Sequence, residues 1–216
     1  MTSLGKQLGS SNLRLAVLLL AAGEGSRLGL TPKALLQKDG QSLLSHFSHA
    51  VKAFSPIEFL VVTGFYGDVI ESELAQLKEE LDLPIDSVRN PQPELGQASS
   101  VRLGLEALKS DCDVLLIALC DQPLVGAIEI DALLQQFEQR GEQIEVVLPM
   151  VGQQRGNPVV FSAKVIADIL AIPQMVCRPF MDQHPELVHI FVTDNEAYIA
   201  DVDTESELSQ FDLKRF

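Results

Sequence analysis

Six apolar residues, Leu15 to Leu20, run directly into a loop with too little side-chain bulk to pack as core, and this junction constrains the chain most. The run has strand length and no polar alternation, which predicts a strand buried on both faces. Such strands belong to parallel sheets covered by helices, so the junction already points to an α/β fold. In the loop, Gly23, Gly25 and Gly29 free the backbone to turn tightly, so that its N–H groups can converge on an anion. Ser26 adds a hydroxyl donor, and Arg27 and Lys33 add two positive charges. A buried strand feeding a small-residue loop with an Arg and a Lys is suited to hold a polyphosphate. The loop matches neither G-x-x-x-x-G-K-[ST] nor G-x-G-x-x-G, because Leu28 stands at the third glycine position of the latter.

Strand-like and helix-like patterns alternate behind it. The spacing predicts helices over 42–54, 68–81, 97–108 and 128–139, and strands over 58–63, 85–89, 114–119 and 145–149. Beyond Pro149 shorter segments follow: strands at 159–161, 188–192 and 197–200, and helices at 163–170 and 205–211. Regular βαβ alternation over the first 150 residues implies a mostly parallel sheet with helices on both faces. We therefore expect a single-domain, Rossmann-like three-layer α/β/α fold over residues 13–210, with residues 1–12 as a flexible N-terminal tail. Ligands in such sheets bind beyond the carboxyl ends of the strands.

The chain has 216 residues, 16 basic and 30 acidic side chains and a formal charge of −14, which argues against a nucleic-acid or anionic-membrane partner. A small anion can still be held by a local basic loop and a divalent cation. Cys112, Cys120 and Cys177 show no C-x-x-C spacing, so neither a disulfide framework nor a metal knuckle follows. The longest apolar run, Leu15 to Ala22, is far too short to span a bilayer, and we expect a cytoplasmic protein.

Four further segments carry chemistry. A buried strand over 114–119 runs straight to Asp121, and Pro123 stops its continuation, which sets a carboxylate at the sheet edge where a magnesium ligand is needed. After the strand at 85–89 come Gly96, which allows close backbone approach, and Ser99 and Ser100 near a helix N-terminus. Arg155 and Asn157 precede the strand at 159–161, and Arg155 offers a cation to a phosphate. At Asp203-Thr204-Glu205-Ser206-Glu207, Thr204 and Glu207 fit a capping box, which leaves Asp203 free for chemistry.

Together these residues resemble the nucleotidyltransferases that make nucleoside-diphosphate sugars and related conjugates. Gly23 to Lys33 is similar to G-x-G-x-R-[LM]-x…P-K, and Leu119 to Leu124 to L-x-D-x-P-L. Asn90 to Arg102 is similar to N-P-x-W-x-x-G-M-x-S-S-L-R, with Pro93 at the usual aromatic and Gln97 at the usual methionine. Gly156 to Phe161 is similar to G-x-P-[VA]-x-[FL], and Asp201 to Leu208 to D-[IV]-D-T-P-E-D-L, with Glu205 at the usual proline. The short loop and its Leu20-Ala21-Ala22-Gly23 opening look most like the molybdenum-cofactor cytidylyltransferase branch. The resemblance implies transfer of a nucleoside monophosphate from an NTP, CTP above all, to a phosphorylated acceptor such as molybdopterin, with Mg²⁺ as cofactor and release of pyrophosphate. It implies catalytic roles for Arg27, Lys33 and Asp121, and metal ligation by Asp121 and Asp203. It implies nucleotide contacts from Ala21, Ala22, Gly23, Glu24, Gly25, Ser26, Gly96, Ser99 and Ser100. Acceptor contacts would come from Arg155, Asn157 and Arg178, with a molybdoenzyme or its chaperone as the protein partner. The branch usually carries G-D-x-G-A-R before its last strands; here only Arg178 of that phrase is retained, so the departure from the branch lies in the acceptor half. A sugar-1-phosphate nucleotidyltransferase and a non-catalytic cofactor-binding chaperone are the alternatives.

Overall fold

The central sheet runs β10-β7-β9-β6-β1-β4-β5, with the short β8 paired to β7. The computed structural model describes residues 13–216, so the predicted tail, residues 1–12, lies outside the described residues. In chain order the elements are β1 (Leu15–Ala21), β2 (Gln37–Lys38), β3 (Gln41–Ser42), α1 (Leu43–Lys52), β4 (Glu58–Thr63), α2 (Gly67–Leu81), β5 (Ile85–Arg89), α3 (Gln97–Ala107), β6 (Val114–Leu119) and α4 (Ala127–Glu138). They continue with β7 (Val146–Val151), β8 (Gln154–Arg155), β9 (Val159–Ser162), α5 (Ala163–Ala171), α6 (Cys177–Gln183), β10 (Val188–Val192) and α7 (Glu205–Gln210).

Strand β1 lies at the centre, parallel to β4 on one side and to β6 on the other. All seven of its residues are buried. Their alternation divides the core in two. Val17, Leu19 and Ala21 meet Phe47 and Val51 of α1, Leu74 of α2 and Leu133 of α4. Ala16, Leu18 and Leu20 meet Leu105 of α3, Ile169 of α5 and Phe180 of α6 on the opposite face. A leucine buried this completely contributes about 1.5–3 kcal/mol over its exposed state, so the double-sided core explains the unbroken apolar run. The three-layer α/β/α expectation holds. Ser42 caps α1 by accepting a hydrogen bond from the Ser45 amide, and Ser162 does the same for Val165 at the start of α5.

Three features depart from the sequence pattern. Strand β9 runs antiparallel to both β6 and β7 and separates them. Helix α6 was not expected, because its seven residues offer a single apolar turn, Cys177, Phe180 and Met181, too short to read as a period. The strand expected at 197–200 is instead a 3-10 turn, Glu196–Tyr198. Tyr198 is fully buried there, and its hydroxyl donates to the Glu129 carbonyl of α4 at 2.9 Å, so packing overrides the extended propensity of the segment. A third, smaller cluster of Leu28, Leu36, Leu43, Val202, Leu208 and Leu213 underpins the loop after β1. The chain past residue 210 belongs to this packing, since Lys214 pairs with Gln37 through two backbone hydrogen bonds.

Candidate active site

The parallel strands β1, β4, β5 and β6 deliver their following loops to one edge of the sheet. A cleft of about 630 Å³ opens there. Its lining includes Ala21 to Arg27 and Lys33 after β1, Phe65 after β4, Pro93, Gly96 and Ser100 after β5, Asp121 after β6, and Asp201 and Asp203 from the segment before α7.

The loop after β1 folds back on itself. Gly25 and Gly29 are left-handed, and the amides of Leu28 and Leu30 both donate to the Gly25 carbonyl. A Cβ at Gly25, whose φ is +65°, would lie 2.0 Å from the Thr31 carbonyl oxygen, so only glycine fits this turn. Among the described residues the amides of Gly23, Glu24 and Gly25 donate to no protein acceptor. Orphan donors grouped in a small-residue turn form an anion-binding concavity. Tyr66 braces the loop from outside, its hydroxyl donating to the Glu24 carbonyl at 2.7 Å.

The charged floor of the cleft joins three distant segments. The Lys33 ammonium donates to Asp121 Oδ2 at 2.8 Å and to Asp203 Oδ1 at 2.6 Å. The Arg27 guanidinium reaches the other oxygen of Asp203. Burial disfavours the Lys33 ammonium, but Asp121 and Asp203 outweigh that effect and hold its pKa above the ordinary 10.5. Burial likewise pushes Asp203 upward, and the hydrogen bond and charge of Lys33, joined by Arg27, more than reverse it, leaving the carboxyl below the ordinary 3.8. Asp201 lies in the same lining without an ion pair, and the charge of Lys33 only partly offsets its surroundings. Burial first, then the charges of Asp121 and Asp203, raise its pKa. Cys120 is adjacent, but burial pushes its thiol far above the usual range, which leaves it a poor nucleophile.

Local anchors set the carboxylates. The amide of Val202 donates to the Asp121 carbonyl at 3.0 Å, and the Val202 side chain is fully buried beneath the loop. Strand-like alternation on either side of that anchor brings Asp201 and Asp203 to the cleft. The predicted capping box is present, with Thr204 accepting from the Glu207 amide and Glu207 accepting from the Thr204 amide. Glu207 also accepts from the Asp203 amide at 2.7 Å, so the cap holds the backbone of the residue that carries the charge.

The structure brings together Ala21, Ala22, Gly23, Glu24, Gly25, Ser26, Arg27, Lys33, Gly96, Ser100, Asp121 and Asp203 around one cleft. Ser99 is not in its lining. It donates to the Gly96 carbonyl and accepts from Asn90, whose amide also donates to Ser100. The three expected acceptor residues lie outside the lining as well. Asn157 adjoins the same sheet edge, its amide donating to the Tyr198 carbonyl, which also accepts from the buried Gln122 side chain. Arg155 on β8 is paired with Asp182 of α6 at 2.6 Å, and Arg178 is exposed one turn earlier on that helix. Asp201, Phe65, Tyr66 and Asp182 carried no role in the sequence. Asp201 was legible in principle, since period-two alternation about Val202 pairs it with Asp203. The others depend on which strand ends are neighbours.

The sequence matches the MobA-like NTP transferase domain over residues 17–187. Among curated relatives, the bifunctional protein GlmU of Mycobacterium avium is 38% identical over 121 residues, which is 55% of this chain and 24% of the relative. GlmU of Mycobacterium ulcerans is 32% identical over 166 residues, 76% of this chain and 34% of the relative. The chain thus spans only about a quarter to a third of the length of these relatives. Among solved structures, Rv0371c of Mycobacterium tuberculosis superposes with a TM-score of 0.70 at 20% identity, covering 91% of this chain and 97% of that one. A second structure of Rv0371c is a complex with manganese and gives a TM-score of 0.66 at 17% identity, covering 92% and 97%. The 4-diphosphocytidyl-2C-methyl-D-erythritol synthase of Anaerococcus prevotii gives 0.68 at 14% identity, covering 93% and 97%. These structural likenesses establish the fold. With the family's domain matched across most of its length, the chain belongs to the MobA-like NTP transferases.

Proposed function

We propose that this protein is a divalent-metal-dependent nucleotidyltransferase that moves CMP from CTP to the phosphate of a small acceptor, molybdopterin in the first instance. The observation that carries the proposal is the Lys33 ammonium seated between Asp121 and Asp203 beneath a loop of unpaired amides. In the reaction, an acceptor phosphate oxygen attacks the α-phosphorus, the bond to the bridging oxygen of the β-phosphate breaks, and pyrophosphate leaves. Such a transfer asks for alignment and charge neutralisation rather than a protein nucleophile. The amides of Gly23 to Gly25 receive phosphate oxygens. Arg27 and Lys33 exchange carboxylate partners for the triphosphate and offset charge as it shifts to the leaving group.

A metal fits this donor set. Asp121 Oδ1 is buried without a hydrogen-bond partner, and Asp121 and Asp203 offer oxygen donors to one point. Two carboxylates completed by substrate phosphates are the ligands Mg²⁺ takes in phosphoryl-transfer sites, and Mg²⁺ bound there would neutralise phosphate charge. That Rv0371c, a protein of this fold, has been solved as a complex with manganese supports a divalent ion as cofactor.

The cytidylyl assignment is supported by Ala22, which is buried and lines the cleft, and by the diphosphocytidyl product named for the Anaerococcus prevotii neighbour. A sugar 1-phosphate is the second acceptor reading. It is favoured by Arg155 being engaged by Asp182 and by Arg178 lying outside the cleft lining. Pyrophosphate release, measured for CTP, GTP, UTP and ATP against molybdopterin and hexose 1-phosphates with Mg²⁺, tests the proposal. Release with CTP that requires one of these acceptors is expected. No release with any pair would overturn it.

A further inference from the structure

The cleft is chemically divided along its length. Lys33, Asp121 and Asp203 crowd the end above β6 and β1. At the other end, above β4 and β5, Phe65, Ile70 and Pro93 lie among Glu94, Gln97 and Ser100, and that part of the lining holds no cation. Adjacent strands lie about 4.7–4.9 Å apart, so the centres of the two ends are separated by roughly two strand spacings or more. A triphosphate held by the cations of Arg27 and Lys33 therefore leaves the nucleoside to extend over the end without cations, where Phe65 lies.

Phe65 is the one aromatic residue in the cleft lining among the described residues, and it is 42% exposed. It is also held on both sides. At the preceding Gly64, an added Cβ would meet the Ala22 carbonyl oxygen at 2.6 Å, the Ala22 Cβ at 2.8 Å and the Pro93 Cβ at 2.9 Å. The backbone before Phe65 is thus wedged between the loop after β1 and the turn after β5. The following residue, Tyr66, is tied to the Glu24 carbonyl, and the amide of Gly67 closes the turn on the Gly64 carbonyl at 3.1 Å. A large apolar ring kept at a binding edge by a braced turn, rather than folded into the adjacent core, is placed to meet a flat apolar ligand face.

We propose that Phe65 is the stacking wall of a nucleobase subsite at the β4–β5 end of the cleft. This inference rests on the nucleotidyltransferase reading and adds the residue that holds the base. Stacking on an aromatic ring tolerates any base, because every base presents a π face. Phe65 therefore contributes to affinity without choosing between CTP and GTP, a choice left to the groups that face the base edge.

Calorimetric titration of the full chain with CTP, GTP and inorganic tripolyphosphate, each with Mg²⁺, tests the proposal in wild type, Phe65→Ala and Phe65→Tyr. Phe65→Ala is expected to weaken CTP and GTP alike, by roughly 5- to 100-fold, and to leave tripolyphosphate affinity unchanged. Phe65→Tyr keeps the π face and is expected to match wild type for all three ligands. CTP affinity in Phe65→Ala within about twofold of wild type would overturn the subsite. So would an equal loss for tripolyphosphate, which would mean that the loop itself had been disturbed. A wild-type protein that binds tripolyphosphate as tightly as CTP also removes the base subsite while the phosphate loop stands. One that binds none of the three overturns the nucleotidyltransferase reading and the subsite together.

Discussion

Replacing Lys33 by alanine separates the two roles of the charged floor, because it removes a structural ion pair and a phosphate ligand at once. The ammonium bridges Asp121 at 2.8 Å and Asp203 at 2.6 Å, and the three side chains are 16%, 19% and 28% exposed. Removing one partner of a fully buried pair costs about 3–5 kcal/mol, and of a surface pair about 0–1 kcal/mol. Partial solvent contact places Lys33→Ala between these limits, at about 1–3 kcal/mol. For a chain of this size Tm then falls by roughly 2–12 °C. The variant leaves two neighbouring carboxylates facing each other without their shared cation, so a divalent ion becomes their natural counter-charge. Thermal unfolding by circular dichroism in EDTA and in MnCl₂ is therefore expected to show a larger metal-induced rise in Tm for Lys33→Ala than for wild type. Catalysis is not recovered with stability. Loss of one charge-assisted contact is worth about 1.5–3 kcal/mol, which is about 10- to 150-fold in kcat/KM for pyrophosphate release. A variant with wild-type kcat/KM would refute the phosphate role. An equal metal response in both proteins would refute the shared-carboxylate account.

The same network sets a pH window. Asp203 has a depressed pKa, so its contribution to stability is complete above its ordinary value of 3.8 and is lost as pH falls through the lower folded value. Lys33 has a raised pKa, so its contribution is complete below 10.5 and is lost as pH rises through the higher folded value. Urea unfolding across pH should show both edges, and Lys33→Ala should flatten them; edges of unchanged steepness would show that other groups set them. Asp121→Asn keeps the shape but removes charge, and a higher Mg²⁺ concentration for half-maximal turnover is expected; normal turnover at limiting metal would remove Asp121 from the metal site. Gly25→Ala forces a side chain into a left-handed turn 2.0 Å from the Thr31 carbonyl, and the conformation alone costs about 1–3 kcal/mol, so weakened tripolyphosphate binding and a lowered Tm are expected in calorimetry. Ala22→Gly is expected to erode a preference for CTP over GTP in direct competition, since one methyl in a pocket is worth about 1–3 kcal/mol; a wild type that favours GTP would overturn the base assignment and leave the phosphate chemistry standing.

Much of this protein was determined by local pattern. The apolar run at Leu15 needed two covering layers, and the strand bounds at 58–63, 85–89, 114–119 and 188–192 follow from β-rich segments closed by turn residues. Thr204 announced its cap because capping is decided within four residues. The tight turn after β1 was legible because its glycines are also a local signal. Tertiary structure alone decided the rest. Strand β9 reverses direction between two parallel neighbours, and the pairing that fixes it lies in β6 and β7 rather than in Val159–Ser162 itself. The segment at 197–200 has strand composition, yet Tyr198 is drawn into the core and the backbone turns around it. Lys33 meets carboxylates 88 and 170 positions away, and no spacing in the sequence encodes that meeting. Gly64 lies against Pro93 only because β4 pairs with both β1 and β5, so the meeting of Phe65 and Pro93 in one cleft lining is a product of sheet order. Capping and turn formation depend on the nearest few residues, whereas strand order, burial of a single aromatic ring and convergence of charge depend on the packing of the whole chain.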